Sequence, residues 1–495
     1  MYDIDLNKLA GIIQYDPANP LIFNSSFFFF FLAIALSVCV LMKAHDKGKL
    51  IFLVICSFYF YYKTSGLYFL LLLLIATTDF LFAHLIFDAK TQRGKRWLLT
   101  GSLCINLGVL CYFKYTNFFL DIFHSVLSTP SLSFDILLPV GISFFIFQSI
   151  SYVIDVYRGR IEPLERILDY VFYISFFPQL VAGPIVKAKD FIPQIHQPHI
   201  LTKEVWGEAF CLILVGLFKK CVISDYISIN FVDRIFDAPA LYSGVENLFA
   251  VYGYAVQIYC DFSGYSDIAI GIALLFGYRF NVNFDAPYRS ATITEFWRRW
   301  HISLSTWLKD YLYIPLGGNR KGKFRTHINL MITMLLGGLW HGASIRFVIW
   351  GGLHGLYLVV HKVMMRFYPA LSANGHEMSL PWRIVNTLVT FHLVCLAWIF
   401  FRAENMGIAS DMLIQIFAHF NLPVLIPFVK EYAAILCLIG IGIGIQFVPI
   451  TTQNLFRQKV MDGGWMFKTF LLLALIVLIT QIKSAELQPF IYFQF

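Results

Sequence analysis

The chain has 495 residues, 58% of them hydrophobic and only 14% charged. Soluble domains run at about 45–50% apolar and about 25% charged, so a water-soluble enzyme is excluded, and 51 phenylalanines exclude a disordered or low-complexity chain. The net charge of +8, in a lipid-embedded chain, marks cytoplasmic loops and not a nucleic-acid surface.

Residues 1–20 form a polar extension containing Pro17 and Pro20. The first apolar run, Phe27 to Met42, has no small-residue cleavage site behind it and is expected to remain as a span. Apolar stretches follow near 50–62, 66–87, 97–125, 137–157, 167–185, 205–223, 246–277, 326–340, 343–366, 383–401, 424–447 and 466–482. A crossing takes about 20 apolar residues, so the expectation is an all-α polytopic membrane protein of about 11–13 helical spans with re-entrant pieces. The chain divides into the extension 1–20, N-terminal transmembrane helices 21–136, a core 137–366 and C-terminal transmembrane helices 367–495. Pro139-Val140-Gly141, Pro178, Gly183-Pro184 and Gly337-Gly338 interrupt the runs. Broken backbone at membrane depth is tolerated only where protein or a water-filled cavity covers it.

Lys43, Lys47 and Lys49 follow the first span, Lys90, Arg93, Lys95 and Arg96 the third, and Arg158, Arg160 and Arg166 the fifth. The loops between carry little beyond Lys63, and 128–131 carries no charge. This alternation places the N-terminus outside the cytoplasm. The nine cysteines are scattered with no C-x-x-C pair, giving neither a disulfide frame nor a zinc site, and no metal is expected.

Residues 279–325 hold nine Lys/Arg against Asp285, Glu295 and Asp310, and are expected to face the cytoplasm. Within them 294–313 reads as one amphipathic helix. Phe296, Trp297, Trp300, Leu304, Trp307, Leu308 and Tyr311 make its apolar face, Arg298, Arg299, Ser303, Thr306, Lys309 and Asp310 its polar face, and Thr294 its cap. Gly317-Gly318 ends it. Gly317 to Lys323 fits G-x-x-x-x-G-K, but Phe324 stands where a Mg²⁺-binding Ser or Thr is required and no strand precedes, so an NTPase is rejected. The loop reads first as a positive-inside connector and second as a holder of a nucleotide's phosphates, for which the basic candidates of the whole segment are Arg298, Arg299, Arg320 and Lys321.

Two histidines stand out. His301 lies on the amphipathic stretch. His341, in Leu339-Trp340-His341-Gly342, lies about 15 residues into an apolar run, about 22 Å deep at 1.5 Å per residue. An ionisable group at that depth is a functional candidate, against the alternative of a neutral imidazole bonded between helices. An imidazole can take a proton from a hydroxyl, as acyl transfer requires, and no G-x-S-x-G elbow accompanies it. Asp79, Gln148, Asp155, Gln179, Gln257, Asp261, Asp267, His354 and His392 are further polar residues in apolar segments, with Asp155 expected to pair near Arg158. A proton-coupled transporter would use such residues as a relay, and a scaffold of an export complex would need neither histidine.

Glu295 to Ser305, with Trp300-His301, and Leu339-Trp340-His341-Gly342 resemble signatures of the membrane-bound O-acyltransferases. Together with Phe177-Pro178-Gln179-Leu180-Val181-Ala182-Gly183-Pro184-Ile185, the stretch Asp261 to Asp267 and the tail Pro489 to Phe495, they are similar to the bacterial branch that acetylates alginate and other exported polysaccharides. The D-alanyl/teichoic-acid branch is similar at both histidines. The resemblance implies a ring of tilted helices around a central tunnel or funnel, with His341 the catalytic histidine and His301 the second site histidine. Trp340, Trp300, Asp310, Ser305, Asp261 and Gln179 would support the tunnel. It also implies a cytosolic acyl thioester such as acetyl-CoA as donor substrate, with no permanently bound cofactor. The acceptor would be an exported polysaccharide or a carrier, handled with a periplasmic acetyltransferase partner, at the cell inner membrane. On this reading the two imidazoles meet one passage from opposite leaflets, His301 from the cytoplasmic side and His341 deeper.

Overall fold

The computed structural model describes residues 11–12, 14–17, 20–42, 46–130, 133–181, 183–198, 200–368, 378–482 and 490–491. Lys43, Ser131, Ala182, Pro489, residues 492–495 and much of the extension 1–20 lie outside them. Among the described residues there is no β-strand, and the protein is an all-α polytopic membrane protein. In lipid every backbone polar group needs an internal partner, which helices supply segment by segment.

Five stretches are long and apolar enough to cross a membrane unaided: Lys47–Asp88, Gln92–Leu127, Gly244–Leu275, Ile345–Met364 and Leu380–Arg402. Two more, Met406–Ala418 with Leu422–Glu431 and Ile450–Asp462 with Trp465–Gln481, bend by 96° and 115°. Ser26–Leu41, Ile142–Tyr157 and Ala433–Gly444 are apolar but shorter. The count of 11–13 exceeds this because hydropathy alone scores short and bent pieces as crossings. The expected runs 50–62 and 66–87 fall on two 20-residue helices, Asp46–Ser65 and Phe69–Asp88, within the 42-residue stretch Lys47–Asp88. That stretch is punctuated by a 3₁₀ turn at Gly66–Tyr68, where Gly66 takes φ +62°.

The helices form two units, residues 1–205 with 272–281 and residues 206–271 with 282–495. In the first, Phe28, Phe60 and Phe177 interlock with ring centroids 5.6–6.3 Å apart. Asp79, fully buried, accepts from Ser102 at 2.7 Å and Asn106 at 2.8 Å, so its polar atoms are matched inside the helix bundle. The break at Gly141 (φ +73°) packs on the Leu180 carbonyl so closely that a Cβ would collide with it. Protein therefore covers that break. Asp155 pairs with Arg160 at 3.1 Å.

The second unit is threaded by Gly244–Leu275, 89% of whose most apolar window is buried. Its Gly264 abuts Gly216, where a Cβ would stand 2.7 Å from a backbone oxygen, so the two helices touch backbone to backbone. Beyond Gly216 the Lys203–Leu217 helix widens into a π turn, Phe218–Ser224. That turn aims Lys219 at Asp267 (2.7 Å) and Lys220 at both Asp225 (2.8 Å) and Asp261. Buried charges persist only when paired in this way. Lys323–His341 and Ile345–Met364 form a tight hairpin.

Candidate active site

The site lies in the second unit, at the closed end of that hairpin. His341 is the last residue of the Lys323–His341 helix and is 3% exposed. Its imidazole stands edge-on to Trp340, Trp350 and Phe401, with centroids 5.0, 4.9 and 5.2 Å away.

The expected single helix over 294–313 is broken at its centre. Ile293–Arg299 ends at Trp300, whose backbone is extended, and His301 takes φ +42° before Ile302–Leu308 begins. The cap is Thr292, whose hydroxyl accepts from the Glu295 N–H at 3.1 Å, while the Glu295 carboxylate reaches back to the Ala291 N–H. Thr294 instead meets the His361 ring at 2.8 Å. The helical spacing of aromatics survives on both sides of the break, which is why periodicity alone runs straight through it.

What holds the break is Asn283. The Ile302 N–H donates to the Asn283 backbone carbonyl at 2.9 Å, and the Ser303 N–H and hydroxyl donate to Asn283 Oδ1 at 3.1 and 2.9 Å. A backbone N–H can only donate, so that side-chain atom is the amide oxygen. His301 Nδ1, 3.2 Å from the same oxygen, must then carry a hydrogen, and Nε2 is the basic nitrogen. His301 is fully buried between Phe262, at 4.6 Å, and Phe284, at 6.2 Å, and that burial holds its pKa well below the ordinary value. The imidazole is neutral at working pH.

His301 also lies 6.1 Å from Trp340, centroid to centroid, and Trp340 lies 5.0 Å from His341, so both imidazoles neighbour one indole. The two imidazoles therefore belong to one aromatic cluster. The expected separation in depth is not found, because the broken helix carries His301 to the far end of Lys323–His341. Neither ring is open to water in this structure, with exposures of 0% and 3%. The alternation continues beyond His341 through Trp350 to His354, 4.8 Å further on. His354 Nδ1 accepts from Trp297 Nε1 at 3.3 Å.

The remaining predicted residues divide by location. Trp300 is buried against Trp398 at 5.1 Å, and the Ser305 hydroxyl donates to the Trp300 carbonyl at 3.2 Å, so both brace the His301 turn. Asp261 takes the Lys220 ammonium and, at 2.9 Å, the Ile491 N–H, which brings the described part of the tail to this cluster. Phe490 then packs on Phe262 at 5.4 Å, behind His301. Asp310 is partly exposed in a π turn, Lys309–Tyr313. Gln179 belongs to the first unit, where it donates to the Tyr173 carbonyl. Of the four basic candidates, Arg298, Arg320 and Lys321 are exposed. Arg299 is held by Asp285 at 2.6 Å and Glu295 at 3.0 Å, so its charge is already matched. Asn283 has no sequence signal, because an asparagine in a polar loop carries no pattern and its partner lies eighteen residues on. Among the described residues no group of three or more His, Cys, Asp or Glu could hold a metal.

A family model described as "MBOAT, membrane-bound O-acyltransferase family" matches residues 164–410, which include both histidines and Asn283. "Probable alginate O-acetylase AlgI" of Pseudomonas putida is 44% identical over 328 residues, 65% of this chain and 65% of that protein. The chain matches less than two thirds of the length of this relative and of its counterparts in Pseudomonas syringae and Pseudomonas aeruginosa. "Peptidoglycan O-acetyltransferase" of Helicobacter pylori is 36% identical over 436 residues, covering 82% of this chain and 81% of that one. "Teichoic acid D-alanyltransferase" of Bacillus subtilis is 28% identical over 285 residues, 54% of this chain and 69% of that protein.

Proposed function

The chain belongs to the membrane-bound O-acyltransferase family, and from that premise we propose that it moves an acyl group, most simply acetyl, from a thioester to a hydroxyl of an exported polysaccharide. The observation that carries this reading is the arrangement of two buried imidazoles on one indole, His301 being neutral with its tautomer fixed by Asn283.

His341 takes the proton of the acceptor hydroxyl as its oxygen attacks the thioester carbonyl carbon. The C–O bond forms, the C–S bond breaks, and the thiolate leaves with a proton returned by the imidazolium. His301 positions the acyl carbonyl or steadies the second proton transfer through Nε2. A polyphosphorylated thioester such as acetyl-CoA suits a basic cytoplasmic face, where Arg298, Arg320 and Lys321 present exposed charge. Arg299, already paired, is left out of that role. The acceptor is met on the other side of the cell inner membrane, directly or through a periplasmic partner. The relatives named for alginate, peptidoglycan and teichoic acid all act on cell-surface polymers by their names, which supports this acceptor class.

The test is reconstitution of wild type, His341→Ala and His301→Ala in vesicles, with folding checked by thermal unfolding and acyl transfer followed by mass. Loss of the base should cost about 10²- to 10⁴-fold in rate. Full activity of folded His341→Ala ends the proposal, and so does a wild type that consumes no thioester, the behaviour expected of a transporter. Transfer of alanine in place of acetate would move the chain to the D-alanyl branch.

A further inference from the structure

Two cavities of the second unit adjoin, both lined by Thr387, Leu388 and Phe447. The larger, about 520 Å³, is walled by Phe249, Phe391, Leu436, Ile439 and Ile443, from three helices. Apart from Thr387, the polar side chains on its wall are bonded to protein. Tyr252 and His392 meet each other at 2.8 Å, His392 Nδ1 meets the Leu388 carbonyl at 2.7 Å, and the Tyr288 hydroxyl donates to the Ala255 carbonyl at 2.7 Å. What faces this space is hydrocarbon and ring edge.

The smaller cavity, about 350 Å³, is bounded by Arg289 and Arg383. Both are half-buried, and neither guanidinium has an ion-pair partner among the described residues. Arg383 lies in the first turn of Leu380–Arg402, and Arg289 closes the Pro287–Arg289 turn beside Tyr288. Two unmatched cations at the mouth of an apolar trough call for one molecule with an anionic head and a hydrocarbon chain. We infer that this is a binding site for an anionic phospholipid, its phosphate between Arg289 and Arg383 and an acyl chain along Phe391, Leu436 and Ile443. A nucleotide thioester fits poorly, because its several amides and its base would find little besides the Thr387 hydroxyl to bond in the trough. The wall shared with the active site is Tyr288, whose ring packs on Phe296 at 6.3 Å and on Trp300 at 6.1 Å, one residue from His301.

The experiment is native mass spectrometry of the detergent-purified full chain, titrated with phosphatidylglycerol or with phosphatidylcholine of the same acyl chains. Wild type is expected to retain phosphatidylglycerol selectively. Each surface cation contributes about 1 kcal/mol toward an anionic lipid, so Arg289→Gln/Arg383→Gln should weaken that retention about thirtyfold and leave phosphatidylcholine unchanged. Arg289→Lys/Arg383→Lys, which keeps both charges, should retain the selectivity and controls for folding. A Cβ at Gly440, which lines the trough, meets nothing within 4 Å, so Gly440→Leu should fill the space and lower retention of both lipids. Equal retention of the two lipids by wild type overturns the inference, as does selectivity that survives the double glutamine variant. Displacement of phosphatidylglycerol by coenzyme A also overturns it and assigns the arginines to the acyl donor. None of these readouts depends on catalysis.

Discussion

His301 adopts a backbone conformation that side-chain-bearing residues visit rarely, at a cost of order 1 kcal/mol, and Asn283 is the residue that maintains it. Asn283→Ala removes that hold, so acyl transfer should fall at least tenfold while the protein stays folded, since small misplacements of a reacting group are costly. In a double-mutant cycle Asn283→Ala should add nothing once His301 is alanine; additive losses would show that Asn283 acts elsewhere. The depressed pKa of His301 has a second consequence. In the unfolded chain this imidazole protonates as pH falls through about 6.5, whereas buried it stays neutral, so the folded state loses stability on acidification. Thermal unfolding between pH 7.5 and 5.5 should steepen for wild type relative to His301→Gln, and equal slopes would contradict this assignment. Both histidines were legible in the sequence from their setting, one in a cationic aromatic stretch and one deep in an apolar run. The αL turn and its asparagine were not, because a tertiary bond imposes them against a local pattern that favours continuous helix.

At the scale of the elements, the hairpin that presents His341 depends on glycine. A Cβ on Gly338 would strike the Phe347 carbonyl and lie 3.1 Å from Gly351 Cα, and one on Gly351 would strike the Met334 carbonyl. Backbone meets backbone there, so no side chain can yield. Gly338→Ala should destabilise the protein by about 1–3 kcal/mol and displace His341 with it, by the ordinary cost of overpacking. Gly352→Ala, whose Cβ would meet only Leu335 at an ordinary 3.5 Å, should unfold within about a degree of wild type. Equal melting temperatures for the two variants would refute the close approach. Long apolar runs made most helices readable, since lipid permits little else. Their ends were harder: the bends of 96° and 115°, and the π turn of Phe218–Ser224, follow from packing partners that no local window contains.

At the scale of the whole molecule, the alternation of basic loops is a statement about sidedness. Cysteines placed at Lys95 and Lys321, in a background without reactive native thiols, should be labelled by an impermeant reagent only after the cells are opened. Labelling in intact cells would invert the proposed route of the donor. The all-helical membrane class was legible from composition alone, but the ionic core was not. Lys220 and Asp261 stand forty-one residues apart, and Asp261 and Ile491 two hundred and thirty, distances over which charge pattern carries no information. Trp340, a neighbour of both histidines, leads to a kinetic consequence. The indole touches both imidazoles, so Trp340→Ala loosens the packing of the two rings at once and should alter the dependence of turnover on donor and on acceptor together.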